Sequence, residues 1–146
     1  MEWYLKVVRD NYANFNGRAS RQEYWMFILF NIVFGIVCMV ADNILGTVFT
    51  IGEGAYAMSM GYGWIYIIYT LAIIIPSIAV GIRRLHDVGK SGWLLLLFLI
   101  PIIGPIYMLI LFCKVSDVGD NSYGPSPNGW LLKYTYFLVL HKDVII

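Results

Sequence analysis

Three long stretches without a charged residue constrain the fold of this chain more than any other feature. They cover residues 24–41, 54–82 and 91–113. As a helix, the first would extend about 27 Å at about 1.5 Å per residue, close to the ~30 Å hydrocarbon thickness of a bilayer. The second begins with the weakly hydrophobic, Gly-rich sequence GAYAMSMGYG, so its predicted span is residues 64–82.

The composition indicates that lipid surrounds most of the chain. Hydrophobic residues make up 60% and charged residues 13%, against roughly 45–50% and 25% in a soluble domain. Because backbone groups in lipid must bond to one another, each stretch should be helical. We therefore expect an all-α, polytopic membrane protein with three hydrophobic helical segments and a single domain over residues 1–129. The net charge of +1 does not favour binding to nucleic acid.

The third stretch has two interpretations. Its centre reads LIPIIGPIY, which brings Pro101, Gly104 and Pro105 together. It is either one kinked span or a re-entrant hairpin that turns at residues 101–105. The length favours a full span, whereas the basic tail favours a hairpin that returns to the cytoplasm. The kinked span is the preferred interpretation.

The charges flanking the stretches predict an orientation. Lysine and arginine occur before the first stretch and in the loop of residues 83–90, whereas the loop after the first stretch contains only the acidic residues Asp42 and Glu53. Positive charge marks the cytoplasmic side, so the N-terminus and residues 83–90 are predicted to be cytoplasmic. Residues 1–12 are mildly amphipathic and predict a short N-terminal interfacial helix.

The densest chemistry lies in GIRRLHDVGKSGW, residues 81–93. On a helix, Arg83 and Arg84 stand four and three residues before Asp87, so either can pair with it. Gly89 and Gly92 would then end the helix. A functional interpretation is a cationic clamp for a phosphate headgroup or an anionic solute. The structural interpretation is that these charges set the topology and pair with one another.

A second cluster, FNGRASRQEYW, precedes the first stretch. Ser20 followed by Glu23 fits a capping box that opens the first helix, although the box could equally start at residue 19 or 21. Glu23 at a membrane edge would be costly unpaired, so we expect it to pair with an arginine of the other cluster. Arg18 and Arg21 would reach lipid phosphates. The residues predicted to contact lipid or another anion are Arg18, Arg21, Arg83, Arg84 and Lys90, and those predicted to pair structurally are Glu23, His86 and Asp87.

Catalytic signatures do not emerge from the sequence. Neighbouring residues on a helix do not face each other, so His86 and Asp87 are not a catalytic dyad. The two histidines lack the spacing of a zinc site, and Cys38 and Cys113 lie in apolar stretches as expected of buried thiols. We therefore predict no catalytic residue, no metal, no cofactor and a protein that is not an enzyme.

Two functions fit these features. The leading hypothesis is a membrane scaffold or interaction protein that contacts anionic lipid headgroups through the cytoplasmic cations. The alternative is a subunit of a small-solute carrier or channel. That alternative requires a homo-oligomer, because three helices can hardly enclose a pathway and the spans lack the ionisable groups of transport pathways. The expected partners are membrane lipids and, as a homo-oligomer, further copies of this chain.

Three segments together resemble a bacterial inner-membrane family, the YhaH-like proteins known as domain of unknown function 805. They read FNGRASRQEYWMFILFNIVF, RRLHDVGKSGWLLLLFLIPIIG and GDNSYGPSP, and the resemblance covers nearly all of residues 1–129. It implies location in the bacterial plasma membrane and no established activity. This chain departs from the family after the third segment, because residues 130–146 form an atypical extension whose apolar part is too short to span a membrane.

Overall fold

Two antiparallel helices form the centre of the protein. The computed structural model describes residues 1–52 and 54–127, so Glu53 and the extension of residues 130–146 lie outside the described residues. After α1 (Glu2–Leu5) and a π-helical turn (Lys6–Asp10) come the long helices α2 (Arg21–Leu45) and α3 (Trp64–Asp87). Both are long and apolar enough to cross a membrane, in agreement with the first two predicted spans.

A small β-hairpin connects the two long helices. Strands β1 (Val48–Ile51) and β2 (Met58–Gly63) pair antiparallel, with Thr50 opposite Ser59. The all-helical prediction is therefore incomplete, because the Gly-rich residues before α3 form a strand and its turn. The ring of Phe49 contacts that of Trp64 edge-on, with centroids 5.1 Å apart. Such aromatic contacts stabilise a short hairpin against the helix that follows it.

Asp42 joins α2 to α3 at the hairpin end. Its carboxylate accepts hydrogen bonds from the backbone N–H groups of Gly63 (2.9 Å), Ile65 (3.1 Å) and Tyr66 (2.9 Å). Gly63 is the N-cap of α3, and Ile65 and Tyr66 lie in its first turn, where N–H groups have no partner within the helix. A negative charge there also interacts favourably with the helix dipole. The end of one long helix thus caps the start of the other.

The third apolar stretch folds back on itself. It consists of a 3₁₀ helix (Gly92–Leu99), a turn at residues 100–102, and α4 (Ile103–Cys113). Its start lies against α3, because a Cβ added to Gly92 would be 2.7 Å from Cγ2 of Ile82. Its end lies there too, because Arg84 Nε donates to the Phe112 carbonyl at 3.2 Å. This geometry matches the hairpin interpretation and not the preferred kinked span.

The turn explains why the stretch does not continue straight. Pro101 cannot donate a backbone hydrogen bond, and Ile102 adopts a φ of 69°, which no helix continues through. Gly104 then lets α4 approach the carbonyl of Leu97 so closely that a side chain would collide with it. Each arm is about 16 Å long, roughly half the hydrocarbon thickness.

The N-terminal segment packs along the long helices. The Tyr4 ring contacts the rings of Phe27 (5.8 Å between centroids) and Phe34 (5.1 Å) on α2. Val7 is fully buried in the same cluster. The predicted interfacial helix is therefore anchored by aromatic contacts with α2.

Tyr12 forms a hydrogen bond with a backbone carbonyl of α3 that has no partner within the helix. Pro76 lies inside this helix, and because proline has no N–H, the carbonyl four residues earlier loses its helical partner. That carbonyl belongs to Ala72, and it accepts a hydrogen bond from Tyr12 Oη at 2.6 Å. A side chain outside the helix thus satisfies the group that the proline leaves free.

We expect Tyr12→Phe to lower the free energy of unfolding by about 1 kcal/mol, because the Ala72 carbonyl loses its donor. Equilibrium unfolding in mixed micelles measures this change. In a Pro76→Ala background the alanine N–H takes that carbonyl, so the same Tyr12→Phe substitution should have little further effect. An equal loss in both backgrounds would show that the hydroxyl contributes through something other than this carbonyl.

Candidate functional site

Charged residues from four parts of the chain converge where α2 begins and α3 ends. The end of α4 and the tail after it reach the same place. Five of the residues predicted from the sequence are buried here: Arg18, Glu23, Arg83, Arg84 and Asp87. Arg21 and Lys90 are exposed at the periphery. We call the buried residues, together with Lys6, the ion-pair network.

Asp87 is the first centre of this network. Its Oδ1 lies 3.0 Å from Nε of Arg18, and its Oδ2 pairs with Nη1 of Arg84. All three side chains are fully shielded from solvent. By helical spacing, either Arg83 or Arg84 could pair with this carboxylate. In the structure Arg84, three residues earlier, pairs with Asp87, whereas Arg83 pairs with Glu23.

Glu23 is the second centre. Its Oε1 lies 2.7 Å from Nη1 of Arg83, and its Oε2 lies 2.6 Å from Nζ of Lys6. The Ser20 side chain caps α2 by accepting the N–H of Glu23 at 3.1 Å, which confirms the predicted helix start. The glutamate carboxylate faces the two cations, and its place in the first turn also suits the helix dipole.

Lys6 was missed in the sequence analysis as a member of the network. In the sequence it is one of the positive charges before the first stretch, which predict only the orientation. The sequence shows a single lysine beside apolar residues of a short amphipathic helix. That pattern does not indicate that the lysine pairs with Glu23, 17 residues further along the chain. Packing of Tyr4 on α1 and of Val7 on the π-helical turn against α2 brings Lys6 to Glu23.

Arg18 connects the network to the tail. Besides Asp87, its guanidinium donates to the carbonyls of Asp117 (2.7 Å) and Gly119 (2.6 Å). The backbone N–H of Asp117 in turn donates to the Asp87 carbonyl at 2.9 Å. The tail is therefore held over the end of α3 by a buried arginine that comes from before α2.

His86 is held by the same tail. Its ring stacks on Tyr123 with centroids 3.8 Å apart and an interplanar angle of 4°. Its Nδ1 is 3.2 Å from the Gly17 carbonyl, and its own carbonyl accepts the Asn121 side-chain amide at 2.9 Å. The three sequence motifs that the family resemblance rests on therefore meet in one place.

The charges of the network do not balance. Three buried arginines at this end of the protein face two buried carboxylates, and Lys6 adds a further cation. Nε and Nη2 of Arg83 are buried and find no hydrogen-bond acceptor within residues 1–52 and 54–127. Buried donors without acceptors are costly. The arrangement is therefore suited to accept an additional anionic or hydrogen-bond-accepting group.

Most of this chain is similar in sequence to known proteins. The family model described as "Protein of unknown function (DUF805)" covers residues 12–125. The inner membrane protein YhaH of Escherichia coli strain K12 is 44% identical over 127 residues, which are 87% of this chain and 97% of that protein. The inner membrane protein YhaI of the same strain is 40% identical over 87% of this chain and 96% of that protein. No solved structure matches this chain.

Proposed function

Because the chain belongs to the DUF805 family, and its relatives YhaH and YhaI are inner membrane proteins, we propose that it is a non-enzymatic membrane scaffold that binds anionic lipid headgroups through the cations in and around the ion-pair network. Its predicted location in the bacterial inner membrane is confirmed by these relatives. The family has no established activity, so the proposal rests on the site itself.

The observation that carries the proposal is the excess positive charge of the network. A buried charge without a counter-charge is strongly unfavourable, and Nε and Nη2 of Arg83, which have no acceptor among the described residues, indicate the same need for an acceptor. Phosphate oxygens suit a guanidinium because it offers two parallel donors. Lipid phosphates are the anions present at every membrane edge, and the predicted cytoplasmic orientation places the network beside an anionic leaflet.

Two exposed cations border the ion-pair network. Arg21 begins α2 and Lys90 follows α3, so both flank the buried network. Each cation near an anionic membrane surface contributes about 1 kcal/mol to the attraction. The buried arginines, by contrast, hold the protein together, so substituting them would confound binding with folding. The exposed pair is the better place to test the proposal.

We expect purified protein to bind phosphatidylglycerol more tightly than phosphatidylcholine, as measured by native mass spectrometry. The double substitution Arg21→Gln/Lys90→Gln should weaken the binding of phosphatidylglycerol by about thirtyfold, because two cations of about 1 kcal/mol each are removed. Binding of phosphatidylcholine should change little.

Arg9→Gln is the control for that experiment. Arg9 is also exposed, but it is already paired with Asp10 at 2.7 Å, so its removal should leave the lipid preference unchanged. The proposal is abandoned if wild-type protein shows no preference between the two lipids, or if the control variant loses as much affinity as the double variant.

A further inference from the structure

Two neighbouring apolar cavities along α3, together called the groove, extend towards the ion-pair network. One cavity of about 660 Å³ lies between α2 and α3. A second, of about 510 Å³, lies between α3, the 3₁₀ helix and the tail. Ile78 lines both cavities, so they meet at this residue. None of the network residues lines either cavity.

The polar groups of the second cavity are concentrated at the membrane edge. His86 and Ser91 line it there, and exposed Lys90 directly precedes Ser91. Trp93 also lines this mouth and is 80% exposed, with an indole N–H available as a donor. Away from the mouth the lining becomes aliphatic around Ile78. This division matches an amphiphile with an anionic head and a hydrocarbon chain.

The groove is longer than one leaflet, because the α3 residues that line its two cavities extend from Tyr66 to His86. From His86 to Ile74, which lines the first cavity, the helix axis extends about 18 Å at about 1.5 Å per residue. One leaflet contributes about half of the ~30 Å hydrocarbon core. A chain that enters at the edge and follows α3 would therefore pass Ile78 and end between α2 and α3.

We infer that this groove binds one acyl chain of an anionic phospholipid, with the phosphate beside Lys90 and Ser91 and the chain lying along α3 past Ile78. The inference deepens the proposed function and rests on it for the charge of the headgroup. The hold on the chain is independent of that charge, because the aliphatic lining contacts hydrocarbon whatever the headgroup carries.

Filling the groove tests the inference. Ile78 is half exposed, so Ile78→Trp adds an indole to the groove without entering the core. After removal of bulk lipid in mild detergent, native mass spectrometry should show that this variant binds phosphatidylglycerol and phosphatidylcholine about tenfold less than wild type, because the added ring occupies the volume of the chain. The control is Val37→Trp, an enlargement greater by one methylene at an exposed position of α2 outside both cavities, which should bind both lipids as wild type does.

The two proposals fail in different ways. If Ile78→Trp binds both lipids as well as wild type, or if Val37→Trp loses as much, the groove does not hold a chain, while the headgroup preference can still respond to Arg21→Gln/Lys90→Gln. If instead wild type is a dimer that Ile78→Trp converts to a monomer with its lipid binding intact, the occupant is a second copy of this chain and the inference is overturned.

Discussion

Asp87→Asn is expected to destabilise the protein more than the corresponding isosteric substitution at any other carboxylate in the described residues. Asp87 is shared by Arg18 and Arg84, and all three side chains are fully shielded. The substitution preserves shape but leaves two buried guanidinium groups without a counter-charge. Breaking a buried ion pair in this way costs about 3–5 kcal/mol. Equilibrium unfolding in mixed micelles, followed by tryptophan fluorescence, measures the loss.

Asp10→Asn is the matched control for this prediction. Asp10 also pairs with an arginine, at 2.7 Å, but both side chains are largely exposed. Exposed pairs contribute little to stability, so the same chemical change should leave the unfolding midpoint where it is in wild type. Equal midpoints for Asp87→Asn and Asp10→Asn would mean that the Asp87 carboxylate is not an organising centre of the fold.

Glu23→Gln is expected to have the second-largest effect. Its carboxylate pairs with both Lys6 and Arg83, and two nitrogens of Arg83, Nε and Nη2, already lack an acceptor in the described part of the chain. Removing the charge would leave Arg83 with no anionic partner in the described residues, at a cost of about 3 kcal/mol or more. α1 should also loosen from α2, because Lys6 loses its contact. Unfolding and hydrogen exchange of the N-terminal segment measure the two consequences.

A double-mutant cycle separates the pair from its surroundings. Arg83→Met alone should be costly, because it strands the Glu23 carboxylate beside a partly exposed Lys6. The combination Glu23→Gln/Arg83→Met removes both buried charges, and replacing a buried pair by neutral groups is often close to neutral. We therefore expect the double variant to be more stable than either single variant. Additive losses would show that the two residues act independently.

Uncharged stretches and local motifs predicted much of this fold. Both long helices follow from them, and the start of α2 follows from Ser20, whose role depends only on the residues beside it. The burial of Arg18 was not predictable in the same way, because its acceptors are backbone carbonyls about one hundred residues away. A sequence shows which residues carry charge but not which distant carbonyls will surround them.

The third stretch shows a different limit. Its length suits a single span, and Pro101 and Gly104 are common in membrane helices that continue. What decides for a hairpin is tertiary: the carbonyls at the end of α4 meet Arg84, and Gly104 fits against the 3₁₀ helix. The β-hairpin was missed because GAYAMSMGYG is weakly hydrophobic and rich in glycine, although Met58, Met60 and Tyr62 alternate with small residues as in a half-buried strand.

The position of Arg18 has a consequence for biosynthesis. Its carboxylate partner is Asp87, and its carbonyl partners extend to Gly124. A ribosome makes the arginine first and must add about another hundred residues before the last acceptor exists. Because a chain emerges at about 5–20 residues per second, the Arg18 guanidinium lacks its last carbonyl acceptor for at least several seconds during synthesis. During that interval the first two helices can pair, but the end of the molecule that contains the ion-pair network cannot close.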